Sequence, residues 1–405
     1  MQTIVLDKPY QFIPPRRGRF WPAAFQLYLP HYLRNSHGIE HVEWRYVDRL
    51  KASLRASHGV LLAPNHCRPC DPMVLGLLAR EIGRPLFVMA SRHLFEQGRF
   101  MAWLLPRVGA FSVYREGMDR EALKCAIQIL VEAKRPLILF PEGVISRTND
   151  RLNNLMDGTA FIARSAAKQR AAATPPGQVV VHPVAIRYFF HGDLAATITP
   201  VLDEIAARLS WRPQRGLPLP ERIARIGAAL LTLKELEYLG QAQHGEISQR
   251  IAAFIDHLLV PLEKEWLKGE REGDVIARVK RLRTAILPDL IAGEISEDER
   301  ARRWRQLADL YLAQQLSCYP PDYLRSRPTP ERLLETVERF EEDLTDKTRV
   351  HRGLRAVIEI GEAIEVSPVR ERGSAGDPVM RALREQLESM LARLAENSNE
   401  PTATS

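Results

Sequence analysis

The sequence predicts an α/β protein: a mixed, largely parallel sheet covered by helices, joined to a large all-helical part. Three observations lead there. Between residues 57 and 190, short runs that are apolar throughout alternate with longer helix-like segments, the pattern of strands buried on both faces of a sheet. From about 197 to 350 the texture changes to charged, Leu- and Ala-rich stretches of helical period. Then "GLRAVIEIGEAIEVSP", from Gly353, returns to alternation, with Ala356, Ile358 and Ile360 set against Val357, Glu359 and Gly361.

Taken in order, the chain begins with Arg16, Arg17 and Arg19, followed by "FWPAAFQLYLPHYLRN" from Phe20. Aromatic bulk beside a basic cluster suits an element lying in the headgroup plane of an anionic bilayer. A helix packed on the protein's own core is the equal alternative for this segment, residues 16–35. The strand candidates are "GVLLAP" (59–64), "PLFVMA" (85–90), "GAFSVY" (109–114), "PLILFP" (136–141) and "VVVHPVAI" (179–186). Helix-like segments fall near 72–80, 92–104, 119–134 and 157–170. At the far end "VMRALREQLESMLARLAEN" reads as a helix, and the polar residues 397–405 as a flexible tail.

A chain of 405 residues with 45% hydrophobic content can bury one large core or two modest ones. Its net charge of +7 favours anionic partners. No arginine-rich finger, zinc-finger spacing or RNA-binding signature accompanies that charge, so nucleic acid is not the expected partner. The basic runs "RVKRLR", from Arg278, and "RARRWRQ", from Arg300, read first as solvated helix faces. Cys67, Cys70, Cys125 and Cys318 are the only cysteines. No charged start with a long apolar centre opens the chain, so reduced thiols in a cytoplasmic setting are expected. No window reaches the roughly eighteen apolar residues of a membrane span. Membrane contact should therefore be peripheral, at the inner face.

The most informative run is "LLAPNHCRPCDPMVLG", from Leu61, which sets His66 and Asp71 close together at the end of an apolar strand. An imidazole can take a proton from an alcohol attacking an acyl carbonyl when a carboxylate fixes its tautomer. Asp71 has a plainer reading as the N-cap of a helix that opens with Pro72. Cys67 and Cys70 form a C-x-x-C in the same turn, yet zinc needs about four ligands and this segment offers three at most. A thioredoxin-like dithiol is the other rival. His182, within an apolar strand, reads as a core histidine.

Three further segments follow in order: "VGAFSVYRE" from Val108, "LILFPEGVISR" from Leu137 and "VVVHPVAIRY" from Val179. With Asn65–Asp71 they resemble the glycerophospholipid acyltransferase family, directly over roughly residues 20–190. The resemblance implies a glycerolipid acyltransferase-like fold, with His66 as base and Asp71 as its orienter. It implies an acceptor site of Arg115, Glu142, Gly143, Ser146 and Arg147, with Gly109 in the second block. Asn65 either shapes the turn or donates to substrate. Arginine suits phosphate because its planar fork matches phosphate oxygens; a surface role for Arg115, paired with Glu116 or Asp119, is the alternative. Val144 and Ile145 stand where the family usually has Thr and Arg.

The resemblance also implies acyl-CoA or acyl carrier protein as donor and a lysophospholipid or glycerol-phosphate-like acceptor, with neither cofactor nor metal, since a thioester is already activated. Ornithine-type lipids or glycolipids are alternative acceptors, and a non-catalytic lipid-binding scaffold is the non-enzyme alternative. In the family a last strand and helix soon follow the fourth block. Residues 351–396 resemble them, with "GEAI" lacking the usual proline, which makes 197–350 a helical insertion into one catalytic domain begun by residues 1–196. Two sequential domains are the competing organisation.

Overall fold

The computed structural model describes residues 7–369 and 376–396; the predicted tail, 397–405, lies outside them. The first stretch of elements runs α1 (Phe20–His37), β1 (Ile39–Arg45), α2 (Val47–Arg55), β2 (Gly59–Pro64), α3 (Asp71–Gly76), α4 (Leu78–Ile82) and β3 (Phe87–Ser91). It continues through α5 (Arg92–Phe95), α6 (Arg99–Arg107), β4 (Ala110–Val113), α7 (Arg120–Glu132), β5 (Leu137–Ile138), α8 (Gly158–Ala171) and β6 (Val179–Phe190). Helices α9 (Leu194–Arg208), α10 (Leu219–Leu239), α11 (Ile247–Trp266), α12 (Val275–Ala292), α13 (Glu297–Ser317), α14 (Tyr323–Ser326) and α15 (Pro330–Thr345) follow. Strands β7 (Leu354–Ile360) and β8 (Ile364–Glu365) and helix α16 (Pro378–Glu396) close the chain.

The eight strands form one sheet in the order β1-β7-β6-β2-β5-β3-β4, with β8 pairing β6. Pairing is parallel from β6 through β2, β5 and β3 to β4, and between β1 and β7. It is antiparallel where β7 and β8 meet β6. The mixed, largely parallel sheet expected from the apolar runs is therefore present, and each strand candidate contains a strand. Every residue of β2 and β6 is buried, which is why neither shows polar alternation. Leu61, Phe111, Leu137 and Val181 share a core with Leu130 of α7 and Ala163 of α8.

Contacts divide the chain into two compact units. The sheet unit holds Phe12–Tyr114, Asp119–Gly192 and the chain from Val350 onward. The helical unit holds Asp193–Arg349 together with Arg115–Met118 and the stretch ending at Gln11. Two placements differ from the sequence reading. Residues 7–11 and the short segment at Arg115 group with the helices, and Asp7 ion-pairs with Arg300 at 3.2 Å.

The helical unit is built on its own core of Phe254, Leu259, Leu282, Ile286 and Leu310. Its helices start on side-chain caps: Asp193, Asp274, Ser296 and Thr329 accept from the first-turn amides of α9, α12, α13 and α15. The basic runs are more than solvated faces. Arg278 meets Glu263 at 2.6 Å, Arg281 meets Glu270 at 2.5 Å, and Arg302 and Arg303 both reach Glu299 at 2.7 Å.

Candidate active site

Strand β2 ends at Pro64, and the chain then turns over the sheet's rim before α3 begins. Asn65 holds that turn. Its carboxamide oxygen accepts from the Ile186 amide at 2.7 Å and its nitrogen donates to the Ile186 carbonyl at 3.0 Å. With the residue 1% exposed, the turn-shaping reading of Asn65 fits its surroundings better than substrate contact.

The turn brings His66 onto Asp71, with Nδ1 to Oδ2 at 2.8 Å. A carboxylate there assigns the proton to Nδ1, so Nε2 is the basic nitrogen. The imidazole stacks on Phe140, ring centroids 4.0 Å apart, and its side chain retains 14% exposure. Asp71 is fully buried. Its Oδ2 also accepts from the amides of Cys67 and Arg68 at 2.8 and 2.9 Å, and its Oδ1 accepts from the Tyr188 hydroxyl at 2.6 Å. These donors compensate the buried charge and leave the carboxylate little freedom. The N-cap expectation fails by one position: Cys70 precedes the helix, Asp71 is its first residue, and the carboxylate turns back toward the loop.

Tyr188, near the end of β6, was outside the sequence's candidate residues. Burial and the adjacent Asp71 raise its phenol well above the ordinary range, so it remains a donor. Asn149 fixes its backbone through two bonds of 2.6 Å.

Glu142 supports the same turn from β5's side. Its Oε1 accepts from the His66 amide at 2.7 Å and its Oε2 from the Asn153 amide at 3.0 Å. Burial pushes the carboxyl up to about 7, opposed by these two amides and by Arg384 and reinforced by Asp71. The Ser146 amide then donates to the His66 carbonyl at 2.7 Å, and its hydroxyl closes a local turn on the Thr148 carbonyl. Gly143 (φ +68°) needs its missing Cβ, which would meet Met156 Sδ at 2.4 Å. Arg147 is half-buried in the same left-handed region, φ +58°, and Val144 is buried.

Gly109 enters β4 at φ +101°, where a Cβ would strike the Leu86 carbonyl oxygen at 2.4 Å; its role is the close approach of two strands. The segment holding Arg115 groups with the helical unit. Asp119 caps α7 and accepts from the Tyr114 amide, and Glu116 acts electrostatically on Arg115.

Cys67 and Cys70 are buried free thiols. Burial, then Asp71, pushes the Cys70 thiol up to about 12. No group of three or more His, Cys, Asp or Glu able to hold a metal occurs among the described residues. His182 is a satisfied core histidine, between the Ser53 hydroxyl at 2.9 Å and the Gly361 carbonyl at 3.0 Å, its pKa lowered by burial.

A hydrogen-bonded imidazole on a rim, backed by a buried carboxylate, can act as a general base toward a hydroxyl. Residues 38–187 match the family model described as Acyltransferase. A 1-acyl-sn-glycerol-3-phosphate acyltransferase of Streptococcus pneumoniae is 30% identical over 122 residues, a stretch covering 30% of this chain and 43% of that relative.

Proposed function

From residues 38–187, which belong to the acyltransferase family, we propose that this chain moves a fatty acyl group from a thioester to a lipid alcohol. The donor is acyl-CoA or acyl carrier protein, and the acceptor is lysophosphatidate- or glycerol-phosphate-like. The observation that carries this reading is the His66–Asp71 pair, whose geometry leaves Nε2 as the base. Nε2 removes the hydroxyl proton as the alcohol oxygen attacks the thioester carbonyl. The tetrahedral intermediate then expels the thiolate, and the imidazolium returns the proton to sulfur, leaving an oxygen ester and a free thiol. Asp71 stabilises the imidazolium, and Tyr188 with the loop amides holds Asp71 in place.

The resemblance supports Glu142, Gly143, Ser146 and Arg147 as the acceptor's surroundings. Glu142 and Ser146 hold the backbone around His66, and Arg147 is the residue we assign to the acceptor's phosphate in the sheet unit. We read residues 197–350 as an insertion into one catalytic domain; β7 rejoining the sheet between β1 and β6 supports this.

The enzyme binds an anionic membrane surface from the cytoplasmic side. Supporting this, α1 presents Phe20 and Trp21 to solvent, and α6 presents Phe100 and Trp103, with Trp21 and Trp103 ring to ring at 4.7 Å. The other face of α1 buries Leu29 and Leu33, so the helix packs on the protein's own core and leaves the aromatic face for the membrane contact proposed. No helix among the described residues is long and apolar enough to cross a membrane.

The deciding experiment incubates the purified protein with labelled acyl-CoA or acyl carrier protein and a panel of lysolipids, ornithine-type lipids and glycolipids, followed by lipid mass analysis. Acylated lysophosphatidate is the expected product. Transfer to another lipid would replace the acceptor, and no transfer to any would support the scaffold alternative.

A further inference from the structure

The last helix, α16, packs on the sheet through Leu383, Leu387, Met390, Leu391 and Leu394, which recur at helical spacing and are buried. Leu383 and Leu387 share a core with Val179 and Val181 of β6, and Met390, Leu391 and Leu394 with Ala185 and Phe189. That stripe sets the position of its neighbour Arg384, which is half-buried. Nη2 of Arg384 donates to the Asn153 carbonyl at 3.3 Å and to the Asn154 carboxamide oxygen at 3.2 Å, while Nη1 pairs with Glu388 at 3.1 Å. From Asn153 the hydrogen bonds continue inward. The Asn153 amide donates to Oε2 of Glu142 at 3.0 Å, Oε1 of Glu142 accepts from the His66 amide at 2.7 Å, and Nδ1 of His66 meets Asp71 at 2.8 Å. Arg384 also acts electrostatically on Glu142 in favour of the carboxylate, the form able to accept from both amides at once.

We propose that Arg384 is a positioning residue for His66, acting through Asn153 and Glu142. It lies on the far side of the helical unit in the chain, well outside the matched residues 38–187. Without its guanidinium the Asn153 amide is held less firmly on Glu142, and the carboxylate that fixes the His66 backbone gains freedom. The residue acts on a backbone and not on substrate, so its removal lowers kcat and spares KM. This rests on the acyl-transfer reading of the same site, and one arm of its test therefore needs no turnover.

The test compares the full chain as wild type, Arg384→Met, Arg384→Lys and Glu388→Gln, by hydrogen exchange with mass spectrometry and by acyl transfer from acyl-CoA to lysophosphatidate. Methionine keeps the apolar stem against the helix's neighbours, and Arg384→Gln takes its place if that variant does not fold. In Arg384→Met, the peptides carrying the His66 and Asn153 amides should exchange severalfold faster. Its kcat should fall about tenfold, as for one lost hydrogen bond spent on orientation, with KM for the acceptor within about twofold. Arg384→Lys, which keeps the charge and a donor, should recover most of both losses. Glu388→Gln removes the partner within the helix and should match wild type. In a Glu142→Gln background, Arg384→Met should cost little more, because both changes interrupt one path. Unchanged exchange at His66 and Asn153 overturns the proposal, as does a loss of kcat that adds in full to that of Glu142→Gln. A wild type that transfers no acyl group removes the acyl-transfer reading instead, and the exchange comparison then decides whether Arg384 holds the His66 backbone.

Discussion

The hydroxyl of Tyr188 donates to Oδ1 of Asp71 at 2.6 Å, on the carboxylate oxygen that His66 leaves unused. The two bonds approach from opposite sides, so the orientation of the imidazole depends on a phenol more than a hundred residues away in the chain. Cys70 lies against the same hydroxyl at 3.6 Å.

Tyr188→Phe should therefore slow acyl transfer while preserving the fold. Losing a hydrogen bond to a charged group costs about 1.5–3 kcal/mol, or roughly ten- to a hundredfold in kcat if it is spent on orientation. Because Tyr188 is fully buried and bonded to Asp71, KM should barely move. A drop in KM and kcat together, or no drop at all, would contradict a positioning role.

His66→Ala removes the base itself. The expected loss is on the order of a hundred- to ten-thousandfold in kcat, with circular dichroism and lysolipid binding largely intact. Asp71→Asn should give a smaller loss. The neutral amide cannot support the imidazolium, and it brings donors up against the Cys67 and Arg68 amides. Undiminished turnover in His66→Ala would reject the mechanism.

Asn65→Ala separates a structural from a substrate role. Ile186 would be left with a buried amide and carbonyl that have lost their side-chain partner, costing about 1–3 kcal/mol. Urea denaturation should show this loss with KM for the acceptor unchanged once the variant is folded. A raised KM with unchanged stability would return Asn65 to the substrate.

How far the sequence reached can be judged from individual elements. The buried strands β2 through β6 were legible because unbroken apolar runs admit few other structures, and His66 with Asp71 because catalysis and turn geometry both act within a short segment. Edge strand β1 was not. It carries Glu40, His41, Glu43 and Arg45 and is only partly buried, as sheet edges often are. That the segment at Arg115 groups with the helical unit was not legible either, because chain continuity with β4 says nothing about which core a residue joins. Tyr188 had a usable signal: a tyrosine inside a wholly buried strand needs a hydroxyl partner, and it shares the alternation of His182, Val184 and Ile186. What no local pattern reveals is that the partner is Asp71.

The aromatic face of α1 and α6 predicts binding to anionic vesicles. Phe20 and Phe100 are 71% and 66% exposed, so Phe20→Ser with Phe100→Ser should not disturb folding. Each ring adds about 1.5–3 kcal/mol when fully buried in an apolar phase. Partial insertion of both should still lower vesicle partitioning at least tenfold, measured by sedimentation with phosphatidylglycerol vesicles. Activity on dispersed, short-chain substrate should be unaffected. Equal partitioning of variant and wild type would remove this face from the membrane.

Glu142 makes a prediction about pH. Its carboxyl is raised to about 7 in the fold by burial, above the usual carboxylate range, so the native state binds this proton more tightly than the unfolded chain does. Stability then falls as pH rises wherever the native state holds more protons. The contribution is fully present below the unfolded pKa, near 4.5, and declines through the folded value near 7. At roughly 1.4 kcal/mol per unit, the loss attributable to this group is on the order of 3–4 kcal/mol. Urea unfolding across that range should show the decline in wild type and its absence in Glu142→Gln, after subtraction of the variant's own offset. That offset is destabilising, because a carboxamide oxygen can accept from only one of the His66 and Asn153 amides. Parallel pH profiles for the two proteins would mean that the carboxyl titrates in the fold as it does in the open chain, and that the two amides outweigh burial.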